Sequence, residues 1–175
     1  MEDFFCKVYR EKIGLIYEND YFYSRFDRYP IAPGHAEVIP KRHVIQLFDL
    51  TSREWMFLKG ALEDTVKVIE SYPLKDMYTE FSKEFKEIHK NSPWYDEMSK
   101  NPGDAVTRDY SKKMLTHVGI DKTTDDYNFG NNDGPNAGRT VDHLHIHIIP
   151  RYLGDAVDSR FGIRWIIPEL ANYKK

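Results

Sequence analysis

The sequence predicts an α+β fold: an antiparallel sheet of about five strands, one main helix and an added helical stretch. Three observations carry this reading. Strand-like runs follow one another early in the chain and again near its end, with helical patterns inserted between them, whereas a doubly wound parallel sheet alternates strand and helix throughout. Trp55, Leu58, Leu62, Val66 and Ile69 recur at helical spacing along one face. A chain of 175 residues, 41% hydrophobic and 14% aromatic, can bury a core as one domain and is not disordered.

The elements follow in order. Ile13 to Glu18 and Tyr21 to Phe26 read as two strands broken at the turn pair Asn19-Asp20. Pro33-Gly34 turns the chain into a third strand, His35 to Ile39, which Pro40 ends. Thr51-Ser52-Arg53-Glu54 is a capping box opening the main helix, and Tyr72-Pro73 closes it. Residues 74–117 form a helical insertion, with one amphipathic helix through Met77, Phe81, Phe85 and Ile88 and a short one from Val106 to Leu115. Asn91-Ser92-Pro93 and Asn101-Pro102-Gly103 interrupt it. It is expected to be a solvated elaboration; the alternative is a lid or dimer contact beside the pocket. Asp126 to Gly130 and Thr140 to Ile149 read as paired strands joined by the loop Asn131–Gly138. In the tail, Trp165, Ile166, Ile167 and Leu170 need something to cover them.

Composition sets outer limits. A net charge of −3 carries no basic signature for nucleic acid, so an anionic substrate must be held by local donors. Cys6 is the single cysteine, which fits a reducing compartment, and no apolar run reaches the length of a membrane span. The expectation is a cytoplasmic protein with no membrane partner.

His143-Leu144-His145-Ile146-His147 is the chemical signature of the chain. On an extended strand the three imidazoles share one face and Leu144, Ile146 and Ile148 the other. A decorative histidine strand is a poor account of so apolar a back face. One metal ion bound by all three is geometrically unfavourable, because the outer Cα atoms lie roughly 13 Å apart in a strand. Two of them with a distant ligand could still hold a metal. The remaining reading is a nucleophilic imidazole flanked by two others that stabilise charge and move protons.

This motif resembles the signature of the histidine triad (HIT) family of nucleotide hydrolases and transferases. The resemblance extends to Asn132-Asp133-Gly134-Pro135-Asn136-Ala137-Gly138-Arg139-Thr140-Val141, similar to the glycine-containing loop of the fragile-histidine-triad branch. It also covers Asp27 through His43, with Pro33-Gly34-His35 and Pro40-Lys41-Arg42-His43, and the tail from Pro150-Arg151-Tyr152 to Pro168. The resemblance implies a single HIT-like domain over residues 1–175 and a homodimer.

It further implies roles. His145 would be the nucleophile, attacking the α-phosphorus of a nucleotide to give a nucleotidyl-histidine that water hydrolyses. This needs one ring nitrogen free and the other donating to a fixed acceptor, a backbone carbonyl in the family. His147 would donate to a phosphate oxygen, and His143 would orient the strand or share the proton traffic; either could protonate the leaving group. His35 would buttress the triad from behind. Asp27 suits the ribose hydroxyls, or merely closes its own turn. Asn132, Gly138 and Thr140 would contact the phosphates. Arg139, where glutamine is usual, either adds positive charge for a polyphosphate or points to solvent. Phe4, Ile16 and Phe26 are candidates for a base pocket or for core. In some bacterial relatives the position of His43 joins a zinc site with a Cys-x-x-Cys pair; here that pair reads Asp3-Phe4-Phe5-Cys6, so no metal is expected. No cofactor is required, although magnesium accompanies a polyphosphate substrate. The substrates in view are dinucleoside polyphosphates and nucleoside phosphoramidates; a non-catalytic nucleotide-binding or metal-binding module is the alternative.

Overall fold

The computed structural model describes residues 3–171. Its centre is a five-stranded, fully antiparallel sheet in the order β1-β2-β3-β5-β4, with β1 Leu15–Glu18, β2 Phe22–Phe26, β3 Ala36–Pro40, β4 Asp126–Gly130 and β5 Ile146–Arg151. The β1–β2 turn forms because Asn19 Oδ1 accepts from the amides of Tyr21 and Phe22, as expected of an Asx turn. The Pro33-Gly34 turn needs its glycine: φ is +81°, and a Cβ there would come within 2.7 Å of Ile69 Cγ2.

Alternation gives the sheet two faces. Phe22, Phe26, Ala36, Val38, Ile146 and Ile148 pack into the main core beneath α2, Ser52–Ser71. The predicted capping box is present: Thr51 Oγ1 accepts from the Glu54 amide, and Glu54 Oε2 accepts from the Thr51 amide at 2.7 Å. The expected α2 stripe is only partly core, because Leu58 and Ile69 are buried while Trp55 is 41% exposed.

The other face carries Tyr23, Arg25, Glu37, Ile39 and His147, the last paired in register with Glu37, which in turn pairs with Arg25. Part of this face is covered by α1, Phe4–Glu11, a helix that the sequence reading did not anticipate. Asp3 caps it by accepting from the amides of Phe5 and Cys6, and Phe5 and Val8 pack on Tyr23 and Ile39.

The insertion differs from expectation. It divides into α3 Leu74–Phe81, α4 Tyr95–Lys100 and α5 Ala105–Leu115, with Phe85 and Ile88 outside any α-helix. Met77, Tyr78, Phe81, Ile88, Trp94, Met98 and Met114 are buried in the same core as the sheet, so it is not a solvated elaboration. Burial of these apolar groups makes the insertion part of the domain.

β5 is also shorter than predicted. Its ladder to β3 ends at Ile146: the Leu144 amide donates to Val44 O at 2.6 Å, and the ring of His143 donates to the carbonyl of Pro40 at 2.8 Å. Residues 140–145 lie outside the sheet. The tail residues Trp165, Ile166 and Ile167 remain half exposed or more, and the side chain of Leu170 lies outside the described residues. Among the described residues, no helix is long and apolar enough to cross a membrane.

Candidate active site

The segment 143–147 leaves its three histidines in three different situations. His145 Nδ1 donates to the main-chain carbonyl of His143 at 2.8 Å. That bond fixes the tautomer and leaves Nε2 with a free lone pair, as nucleophilic attack requires. Burial pulls the pKa of His145 below its ordinary value, the acceptor carbonyl opposing, so the ring is the free base at neutral pH.

His147 belongs to a chain of rings. The Ile31 amide points at His35 Nδ1 at 3.4 Å, which assigns the His35 proton to Nε2. His35 Nε2 then donates to His147 Nδ1 at 3.0 Å, so the His147 proton sits on Nε2, toward the cleft. Burial, with His35 and His145 beside it, lowers the His147 pKa to about 4, and burial also lowers that of His35. Asp27 Oδ2 lies 3.6 Å from His35 and 3.8 Å from His147, while its Oδ1 accepts from the Tyr29 amide at 2.7 Å. Asp27 therefore closes its turn and also lines the cleft.

His143 departs from expectation. It is fully buried, its Nε2 donates to Pro40 O, and its Nδ1 faces Asp3 Oδ2 at 3.0 Å. Neither nitrogen is left for proton transfer in the cleft; its carbonyl is what serves His145. The geometry thus leaves His147 as the flanking donor.

The loop behind the site also differs in detail. Asn132, Gly138 and Thr140 line the cleft. However, the Gly138 amide already donates to Pro135 O and the Arg139 amide to Gly134 O, so these groups shape the loop rather than point at a ligand. Gly138 adopts φ +95°, which suits glycine. Arg139 is taken up by Asp142 at 3.1 Å, with Asp133 at 3.9 Å, instead of lining the cleft.

Behind the triad, Asp3, Cys6, His43 and His143 bring one ligating atom each within 4.8 Å of one another. Cys6 Sγ lies 3.7 Å from His143 Nδ1 and 3.9 Å from His43 Nδ1. These spacings, with oxygen, sulfur and nitrogen donors, fit a tetrahedral divalent cation. The hydrogen bond from His143 Nε2 to Pro40 presents Nδ1 as the free ligand nitrogen. Asp3 fills the corner that the sequence reading counts as lost.

The cleft in front of His145 and His147 has a volume of about 640 Å³, within the range of small-molecule sites. Among the polar residues on it that the sequence reading misses are Arg25 and Glu37. The strand period could have found them, since both share the face of His147 in a strand otherwise buried throughout. The expected base-pocket residues divide: Phe4 lines the cleft, whereas Ile16 and Phe26 pack with the main core. The insertion reaches the cleft through Pro102, Gly103 and Thr107, tied down by Arg28, which bonds Glu97 at 2.8 Å and Asn101 O at 2.9 Å.

A five-stranded antiparallel sheet with three alternating histidines at the entry to β5, the middle one buried and tautomer-locked, defines a histidine triad protein. Residues 11–92 and 97–154 match the HIT domain model, and the chain belongs to that family. It is 27% identical over 161 residues to an uncharacterized HIT-like protein of Methanocaldococcus jannaschii, covering 90% of this chain and 85% of that one. It is 30% identical over 122 residues to the bis(5'-adenosyl)-triphosphatase of Dictyostelium discoideum, covering 70% of this chain but only 49% of that enzyme. The chain therefore spans about half the length of that relative. A HIT-family protein from Bacillus subtilis superposes with a TM-score of 0.53 at 21% identity, over 89% of this chain and 77% of that one, which shows the shared fold.

Proposed function

We propose that the protein is a nucleotide hydrolase acting at the α-phosphate of dinucleoside polyphosphates, with nucleoside phosphoramidates as the second substrate class. The observation that carries this is the hydrogen bond from His145 Nδ1 to the His143 carbonyl, which leaves a neutral, deprotonated Nε2 facing a nucleotide-sized cleft. In the first step Nε2 forms a bond to the α-phosphorus and the phosphoanhydride P–O bond breaks. The electron pair stays on the departing polyphosphate, whose charge a magnesium ion carried by the substrate would help to hold. His147 Nε2–H stabilises a phosphate oxygen by hydrogen bonding. With a pKa near 4 it is neutral before substrate binds, so it donates a hydrogen bond rather than a proton. A polyphosphate leaves without protonation, whereas an amine does not, and this supports the polyphosphate preference. Water then attacks the nucleotidyl-histidine, the P–N bond breaks, and monophosphate and a proton are released. Transfer to an acceptor other than water uses the same intermediate. Asp27 Oδ2 would accept from the ribose hydroxyls, and Asn132 and Thr140 would bond the phosphate.

Incubation with diadenosine tri- and tetraphosphate and adenosine phosphoramidate, with and without magnesium, tests the reading. Wild type should release AMP and His145→Asn should not, while both bind AMP. Binding without turnover on any of these substrates would favour a non-catalytic nucleotide-binding module.

Two assembly features complete the proposal. A structural zinc ion would be held by Asp3, Cys6, His43 and His143, tying α1 to the triad segment; it faces away from the cleft and takes no part in the chemistry. The chain would form a homodimer in the cytoplasm, through the outer edge of β4 and the apolar groove that Trp55, Leu62, Val66, Tyr127 and Phe129 form beside it.

A further inference from the structure

At one level of the sheet, adjacent strands place His147, Glu37 and Arg25 side by side on the cleft face, paired in register across β5, β3 and β2. Adjacent strands lie about 4.8 Å apart, so Arg25 stands roughly 10 Å from the phosphate end of the site. That is about the reach of a nucleotide from its phosphorus to the far edge of its base. A nucleotide laid from His145 across the strands passes Glu37 and ends at Arg25. The carboxylate of Glu37 lies near the phosphate end of this path, with its oxygen within 4.8 Å of ring nitrogens of His145 and His147.

Arg25 is anomalous as a structural residue. It is 2% exposed, and neither terminal nitrogen of its guanidinium has a hydrogen-bond partner. Only Nε is engaged, donating to Phe26 O at 3.3 Å, and the Phe4 ring lies 5.4 Å away on the cleft side. Buried donors left unpaired are costly, and the guanidinium presents two terminal NH2 groups in a fixed fork. Glu37, its cross-strand neighbour, is also buried and lines the cleft, yet the pair does not satisfy the fork. Burial pushes the Glu37 pKa up to about 8, with the negative charge of Asp27 adding and Arg25 opposing.

We infer that Arg25 reads the base of the bound nucleotide and that it selects guanine; the inference rests on the nucleotide reading above. Arginine is a donor only, so its fork selects a base edge that offers two adjacent acceptors. Guanine fills that fork, with O6 and N7 both accepting from Arg25. Adenine would set its N6 amino group against the guanidinium and leave that fork half empty. Cytosine and uracil offer no such pair of adjacent acceptors, and their single ring covers less of Phe4.

Calorimetric titration of wild type, Arg25→Met, Arg25→Lys and His145→Asn with GMP, AMP, CMP and UMP tests the inference, alongside melting curves of each protein. Wild type and His145→Asn should bind GMP at least about tenfold more tightly than AMP, the scale of one bidentate base contact. Arg25→Met and Arg25→Lys, which keeps the charge but not the fork, should each remove most of that preference while leaving AMP affinity nearly unchanged. Arg25→Met should melt at or above wild type, because an unpaired buried charge is replaced by a side chain of similar shape. A purely structural arginine would instead lower stability and weaken every nucleotide alike. If Arg25→Met does not fold, Arg25→Lys carries the test. AMP binding as tight as GMP, or a guanine preference that survives both substitutions, overturns the inference. Guanine preference without turnover of any guanosine or adenosine substrate would overturn hydrolysis and support base reading; turnover without preference would do the reverse. Failure of all four mononucleotides to bind would overturn both.

Discussion

His35 and His147 meet ring to ring, Nε2 to Nδ1 at 3.0 Å, although 112 residues separate them in the chain. The contact works only in one proton arrangement, and that arrangement aims the His147 N–H at the cleft. His35 touches no substrate in this geometry; it positions His147. Replacing it by alanine should lower kcat by about 10- to 100-fold, the usual cost of losing an orienting partner. KM should change little. His35→Gln, which keeps a donor near the same place, should recover part of the loss. Equal loss in both variants would reduce His35 to a packing residue.

The same buried rings set the acid stability. Unfolded histidines take up protons near pH 6.5, whereas folded His147 does so near 4 and burial displaces His35 in the same direction. Between those limits the unfolded state binds more protons, so stability falls as pH drops from about 6.5 to about 4. The melting temperature should fall by roughly 5–10 °C over that window. Glu37 acts with the opposite sign. The folded state holds its proton up to about pH 8 and the unfolded chain releases it near 4.5, so this residue costs stability as pH rises between them. His147→Asn should flatten the acid slope, and Glu37→Gln should gain on wild type as pH rises from 6 toward 8. Parallel melting curves for all three proteins would contradict both assignments.

How far the sequence speaks for itself differs from element to element. The strands and the α2 capping box were legible because each rests on local chemistry, an Asx turn and a Thr–Glu reciprocity, whereas the period of two read over 143–147 holds as a strand only from Ile146. The acceptor for His145 is a main-chain carbonyl, which no side-chain pattern marks. The division of labour between His143 and His147 depends on Pro40 O and Asp3, both remote in sequence, and so required the fold. Arg25 and Glu37 were hidden because charged residues in a strand normally signal its solvent side, and here that side faces a cleft under α1.

Dimer formation has a direct readout. Phe129 is 47% exposed on the edge strand β4, beside the apolar side chains of α2. Light scattering coupled to size-exclusion chromatography should give a dimer for wild type. Phe129→Glu, which places a charge in the middle of the groove, should shift it to monomer while leaving the sheet intact by circular dichroism. A wild-type monomer at tens of micromolar, or a mutant that stays dimeric, would remove this surface from the assembly.

Asp3 ties the metal question to the triad. Its Oδ1 caps α1 and its Oδ2 faces His143, so one carboxylate links the first helix to the segment that holds the nucleophile. Protein purified without chelator should carry close to one zinc per chain by elemental analysis. Stripping with a strong chelator should lower the melting temperature, because binding energy at a structural site adds directly to folding free energy. Asp3→Cys, which adds a second thiolate, should hold zinc more tightly in a competition with a chromophoric chelator. Asp3→Ala should lose both the metal and the helix cap, the cap alone costing about 1 kcal/mol. Asp3→Asn separates the two, since an amide caps as well as a carboxylate but is a far poorer ligand. Its stability should match wild type in the presence of chelator and fall below it when zinc is supplied. If Asp3→Asn and wild type melt together under both conditions, the four side chains are a hydrogen-bonded cluster and hold no ion.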